Sequence, residues 1–176
     1  RDLLAAKMVQ FNRLLRAFSG NTQAGWWITD DNCALFNPAL YREYCFPVLE
    51  QVLAALAPGE ARRYQHSDSN MGHLLDCQAD LGINEVNYGP TVDAALIRRK
   101  MPGARIDGCL PPFLLRNGSP QAIRERIISD FEKAGAGGGL NVTTAGSLAA
   151  GTGVGRMRWF MYVVQECCRY DRDNRG

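Results

Sequence analysis

Apolar residues along this chain switch between a helical period and short strand-like runs. Leu3, Leu4, Met8, Phe11, Leu14, Leu15 and Phe18 keep helical spacing, and Ser19-Gly20-Asn21 stops the run. Trp26-Trp27-Ile28-Thr29 reads as a short buried strand closed by Asp30-Asp31. Asn37-Pro38 opens a second helix, with Asn37 as cap and Pro38 at the first helical position. Tyr41, Tyr44, Val48, Leu49, Val52, Leu53 and Leu56 give it an apolar face, and Pro47 is expected to bend or divide it.

The alternation then repeats. Ala61–His66 is a strand, weakened on periodicity by Arg62 and Arg63, with a helix over Met71–Leu81. Ile83–Tyr88 is a strand followed by a helix over Thr91–Met101. Ala104–Asp107 is a strand, then a Pro111-Pro112 loop and a helix from Pro120 to Ala134 capped by Ser119. Gly135–Gly139 leads into a last strand, Leu140–Thr143, and a glycine-rich loop precedes a final helix over Val154–Tyr170. Five strands alternating with helices imply an α/β fold with a parallel sheet and right-handed crossovers. An open doubly wound sheet and part of an eight-unit barrel both fit. The pattern alone favours the open sheet, because five units do not close a standard barrel.

Composition narrows the function classes. The chain has 176 residues, 46% hydrophobic and 22% charged, which predicts one soluble globular domain over 1–176. A net charge of +2 with scattered basic residues argues against a nucleic-acid partner. The longest apolar stretch, Trp159–Val164, is far short of the roughly 20 residues of a membrane span, so no membrane partner is expected. Cys33, Cys45, Cys77, Cys109, Cys167 and Cys168 lack Cys-x-x-Cys spacing, which suits reduced thiols in a cytoplasmic protein. A start at Arg1, with no Met, is the expected mark of a fragment or of a processed chain.

Polar residues collect at the strand ends. They are Asp30 and Asp31; His66, Ser67, Asp68 and Asn70; Asn87 and Tyr88; Asp107 and Cys109; Thr143 and Thr144. Parallel strands would converge these groups on one face, where barrel and open-sheet enzymes build their sites. Asp, Asn and Ser at such points also cap the helices that follow. Capping does not require His66 or Asp31, and these two point to a site. His66, Asp68 and Cys109 have the donor types of a zinc site, whereas His73 is expected on the surface. Gly146–Gly155 resembles a phosphate-cradling loop, but it lacks the lysine and spacing of a P-loop.

In order, Trp27-Ile-Thr-Asp-Asp31, Asn37-Pro-Ala-Leu-Tyr-Arg-Glu-Tyr44 with Pro47, His66-Ser-Asp-Ser-Asn70 and Gly82-Ile-Asn-Glu-Val-Asn-Tyr-Gly89 carry a family resemblance. Val92-Asp93, Gly108-Cys-Leu-Pro-Pro112, Gly118-Ser-Pro120 and Gly151-Thr152 extend it. Together these segments resemble the C-terminal half of the uroporphyrinogen decarboxylase superfamily. The resemblance implies a (β/α)8 TIM barrel of which this chain holds the last five units, the missing N-terminal half or a homo-oligomer partner covering the rest. It implies a cofactor-independent carboxy-lyase acting on a tetrapyrrole or related polycarboxylic acid, as in porphyrin biosynthesis. Asp31, His66 and Asp68 would then handle protons or orient the substrate as the catalytic residues, and Asp30, Ser67, Asn70, Asn87, Tyr88 and Cys109 would bind substrate.

Zinc methyltransferases of the same superfamily, working with a corrinoid partner, are the alternative implied activity. They use a His-x-Cys pair and a later cysteine. Here the pair reads His66-Ser-Asp68 and the later position falls near Gly146, so zinc would need His66, Asp68 and Cys109. The histidine-glycine pair of the decarboxylase loop is replaced by Thr143-Thr-Ala-Gly-Ser147, and the asparagine of Gly-Asn-Leu-Asp-Pro by Cys109. A non-catalytic fragment or interaction subunit is the third reading.

Overall fold

A computed structural model describes residues 1–170. Helix α1 (Asp2–Ser19) leads into β1 (Gly25–Thr29), and a short α2 (Pro38–Leu40) continues through a π-helical turn into α3 (Phe46–Leu56). Then come β2 (Arg62–Ser67), α4 (Leu75–Asp80), β3 (Glu85–Tyr88), α5 (Ala94–Lys100) and β4 (Arg105–Leu110). Helices α6 (Pro112–Asn117) and α7 (Pro120–Ala134), β5 (Leu140–Thr144) and α8 (Val154–Cys167) complete the order.

The five strands form one parallel sheet in the order β1-β2-β3-β4-β5. A doubly wound sheet reverses its order at a switch point, whereas a barrel adds each strand beside the last. The sequential order therefore decides for a sector of a barrel-type sheet and against the open doubly wound one. Period-two alternation sorts the strand residues onto two faces. Ile28, Gln65, Ser67, Val86, Tyr88 and Ile106 are buried on the helix side. On the concave side stand Trp27, Arg62, Tyr64, His66, Glu85, Asn87, Arg105 and Asp107, and Trp27 is 64% exposed.

The main core lies between the sheet and α3 to α5, built from residues such as Leu53, Met71, Leu75, Val86, Ile97 and Ile106. A second core joins Leu110, Leu115, Ile123, Ile127, Phe160 and Val163 under α6 to α8. A smaller one, with Ala5, Val48, Val52 and Leu56, seats α1 on α3. Leu3, Leu4, Phe11, Leu14, Leu15 and Phe18 of α1 remain exposed, and among the described residues β1 pairs with β2 alone.

Several boundaries differ from the periodic reading. Pro47 does divide its helix, standing in the first turn of α3 after the π-helical Tyr41–Cys45. The helix expected over Met71–Leu81 starts as a 3-10 turn, Gly72–Leu74, and that over Thr91–Met101 starts at Ala94. There the Asp93 carboxylate accepts from the backbone N–H of Ala95 and Leu96 and sets the start. The Pro111-Pro112 loop is instead a helix, with Pro112 pre-organising its first turn and Leu115 buried. The last helix ends at Cys167 rather than Tyr170. All six cysteines are free thiols, and among the described residues no helix is long and apolar enough to cross a membrane.

Candidate functional site

The C-terminal strand ends carry the polar cluster, and His66 lies at its centre. Its Nδ1 is 2.9 Å from Asn87 Oδ1, and its Nε2 is 3.5 Å from Asp68 Oδ1. Register explains the first contact, because His66 pairs with Asn87 across β2 and β3 and both side chains project to the concave face. The second follows from the turn after β2, where the exposed Asp68 comes back toward Nε2. Asp31 holds that turn: one oxygen accepts from the backbone N–H of Asp68 at 2.7 Å and from the Ser67 hydroxyl at 3.1 Å.

Asn87 connects three more segments. Its Nδ2 donates to the carbonyls of Asp107, at 2.5 Å, and Thr144, at 3.2 Å. Its Oδ1 also accepts from the Gly146 N–H at 3.0 Å. A hollow of about 330 Å³ opens beside this network, lined by Tyr64, His66, Asn87, Asp107, Asn141 and Thr143, with Gly146 and Ser147 at its edge. A larger groove of about 550 Å³ runs between α1 and α3, but Ala5, Val9, Gln10 and Ala55 give it no proton-transferring side chain. Of these two, the hollow at the strand ends is the one lined by an imidazole and a carboxylate.

Below it, nearer the N-terminal ends of the strands, lies a charged layer. Arg62 makes a two-point ion pair with the buried Glu85, at 2.6 and 2.7 Å, and lies over the Tyr64 ring. Arg105 reaches Asp107 at 3.1 Å. The Arg62 guanidinium holds the Glu85 carboxyl below the usual carboxylate range.

The structure brings Asp31, His66, Asp68 and Asn87 together but places other candidates differently. Tyr88 faces the helices, packed near Tyr41 and Cys33, so it does not line the hollow; burial pushes its hydroxyl well up. Cys109 also lies on the helix side, near Asp130 and Arg126 of α7, and burial pushes its thiol up to about 12. Ser67 is buried, its hydroxyl engaged with Asp31 and with the Ser69 N–H, leaving no path to a ligand. Asp30 accepts from the N–H groups of Asn32 and Cys33 and starts a 3-10 turn, and Asn70 accepts from the Gly72 N–H. These last two do the capping work that polar residues do at strand ends.

With Cys109 turned away, the three-donor zinc set does not assemble. Among the described residues no three His, Cys, Asp or Glu side chains come together as a metal site. Tyr64, Asn141 and Ser147 line the hollow without having been singled out from sequence. Counting back by two from His66 and from Thr143 would have found Tyr64 and Asn141, since alternate strand residues share a face.

A family model described as uroporphyrinogen decarboxylase (URO-D) matches residues 11–167. The chain belongs to the URO-D family. Among solved structures, a methyltransferase from Methanosarcina mazei is similar, with a TM-score of 0.69 at 17% identity. That match covers 86% of this chain and 44% of the methyltransferase, so the chain spans under half the length of that relative. At such identity the likeness concerns the fold: this URO-D family member has the strand order of a barrel sector. No curated protein matches the sequence.

Proposed function

We propose that the chain supplies the His66 side of a URO-D-type active site, in which a carboxylic acid substrate loses CO2 without a cofactor. The observation that carries this reading is the imidazole of His66 at the edge of a polar hollow, with Asp68 beside its Nε2. For an acetate-type side chain on an electron-rich ring, protonating the ring makes it an electron sink. The bond to the carboxylate then breaks, CO2 leaves, and the electron pair passes into the ring. A proton added to the remaining carbon, with the ring proton returned, completes the exchange of CO2 for H. The net demand is one proton per CO2, and a positioned imidazole meets it.

His66 is the proton-handling group in this reading and Asp68 the carboxylate that steadies its charged form. Asp31 shapes the turn that carries Asp68. Asn141 gives one amide N–H to Asp107 Oδ1 and keeps the other as a neutral donor to the substrate. Cys109 faces the helices and leaves His66 and Asp68 as two of the three donors named for zinc, which favours decarboxylation over zinc-dependent methyl transfer in this reading. A substrate of tetrapyrrole size also needs walls that a five-stranded sector does not provide, and the remaining barrel units are proposed to cover the concave face and α1.

The test is an assay of the assembled barrel for CO2 release from a porphyrinogen polyacetate, with His66→Gln beside it. General acid–base catalysis predicts a fall in kcat of about 10²–10⁴-fold in the variant. CO2 release unchanged by His66→Gln, or methyl transfer from methylcobalamin without CO2 release, overturns the reading.

A further inference from the structure

The Asn87 amide uses its whole hydrogen-bonding capacity inside the protein. A side-chain amide offers two N–H donors and two acceptor lone pairs. The donors go to the carbonyls of Asp107 and Thr144, which only accept. One lone pair takes the Gly146 N–H, which only donates. Both ends of the amide are thus oriented by partners with one possible role, and Oδ1 faces His66 without ambiguity. His66 Nδ1, 2.9 Å from that oxygen, has to carry the proton.

We infer that Asn87 is a positioning residue: it fixes His66 in its Nδ1–H form, turns Nε2 toward Asp68 and the hollow, and pins the loop after β5 to the same amide. This replaces the substrate-binding role expected for Asn87 at a strand end. With four partners in the chain, it has no hydrogen bond left for a ligand. The arrangement makes Nε2 the exchanging nitrogen and gives it a carboxylate neighbour, Asp68 Oδ1 at 3.5 Å, once a proton arrives. Because β2, β3, β4 and the loop after β5 all meet at Asn87, the ring orientation and the loop position are set together. This inference deepens the proton-transfer reading and rests on it for its purpose, while its geometry stands without any assumed reaction.

The second histidine supplies an internal control. His73 Nε2 is 2.9 Å from the Phe36 carbonyl oxygen, which only accepts, so His73 carries its proton on Nε2. The two histidines of the chain therefore hold opposite tautomers.

The test is long-range ¹H–¹⁵N NMR on the full chain labelled at histidine, about two units above the ordinary imidazole pKa of about 6.5. The expected spectrum has one ring protonated at Nδ1 and one at Nε2, the first lost in His66→Gln. Asn87→Leu should move His66 toward the Nε2–H form and leave His73 unchanged. Asn87→Asp, which keeps an acceptor at the same place, should retain Nδ1–H. Hydrogen exchange at the Gly146 amide should speed up in Asn87→Leu. A wild-type His66 protonated at Nε2 overturns the inference, and so does an Asn87→Leu spectrum with His66 unmoved. If Asn87→Leu does not fold, the wild-type spectrum and Asn87→Asp still decide. A decarboxylase assay that fails while the tautomers stand as expected removes the reaction and leaves the positioning role.

Discussion

Arg62 and Glu85 form a bidentate ion pair across the concave face of β2 and β3, at 2.7 Å from Nε and 2.6 Å from the terminal nitrogen. The Glu85 side chain is 7% exposed and that of Arg62 is 51% exposed, so the pair is neither a surface contact nor a fully buried one. Its net worth should fall between those cases, at about 1–2 kcal/mol. The hydrogen bonds from Arg62 hold the Glu85 carboxyl below its ordinary value. A depressed carboxylate stabilises the fold above its unfolded pKa, and the contribution is lost as pH falls through the folded value. Glu85→Gln should therefore cost about 1–2 kcal/mol at pH 7. The gap to wild type should close below about pH 4, near the ordinary glutamate value. Urea unfolding at a series of pH values measures this, and a gap independent of pH would show that the charge is not what stabilises.

Gly146 has φ +82°, and a Cβ built there would fall on Asp68 Oδ1. Two costs then combine in Gly146→Ala. A left-handed backbone costs an L-residue about 1–2 kcal/mol, and Asp68 has to leave its place beside His66. Gly59, with φ +59° and open space around it, separates the two. Gly59→Ala should show the backbone cost alone, and Gly146→Ala should be less stable than that by about 1 kcal/mol or more. Equal losses in thermal unfolding would mean that Asp68 moves aside freely.

Much of the fold could be read from residue order, for reasons that particular residues show. Asn37, Asp93 and Ser119 accept from backbone N–H groups at the helix starts, so caps and prolines marked true ends. Arg62 and Arg63 made β2 look weak because periodicity assumes that charge faces water. Arg62 instead pairs with Glu85, and Arg63 donates to the carbonyls of Ala57 and Leu81. Among the residues expected at the site, His66 and Asp68 lie together at the strand ends, whereas Tyr88 and Cys109 are turned to the helix side. All four stand near strand ends, but only facing decides access, and facing depends on the register of each strand with its neighbours. Family resemblance resolved what the periodic pattern had left open: strand count alone favoured a doubly wound sheet, and the sequential strand order supports the barrel.

The thiols should divide into two kinetic classes by burial. Cys33, Cys77 and Cys109 are buried, and burial pushes Cys33 and Cys109 up to about 12. At pH 8 a thiol of that pKa is thiolate in about one molecule in 10⁴, and thiolate is the reactive form. Cys45, Cys167 and Cys168 are half-buried. Titration of the native chain with an aromatic disulfide should release close to three equivalents promptly, and the remaining three only on unfolding. Prompt reaction of all six would contradict the packing of the main core, where Cys33, Cys77 and Cys109 sit.

Helix α1 buries Ala5 while Phe11 stays 60% and Phe18 94% exposed. The apolar stripe of α1 is therefore wider than its contact with α3, which receives Ala5, Met8 and Val9 and leaves both phenylalanines outside. In the proposed assembly the remaining barrel units cover this face, and in the 176-residue chain alone it meets water or another molecule. Replacing Phe11 and Phe18 by Ser should then change stability by no more than about 0.5 kcal/mol each, as at other exposed positions. It should also lower concentration-dependent self-association, measured by sedimentation. Val52, fully buried where α1 meets α3, is the contrast: Val52→Ala should cost clearly more, of the order of 1–3 kcal/mol. Loss of folding in the Phe11 and Phe18 variants would mean that both rings already have partners within this chain. Unchanged self-association would place the sticky surface elsewhere, with the open edge of β1 the next segment to test.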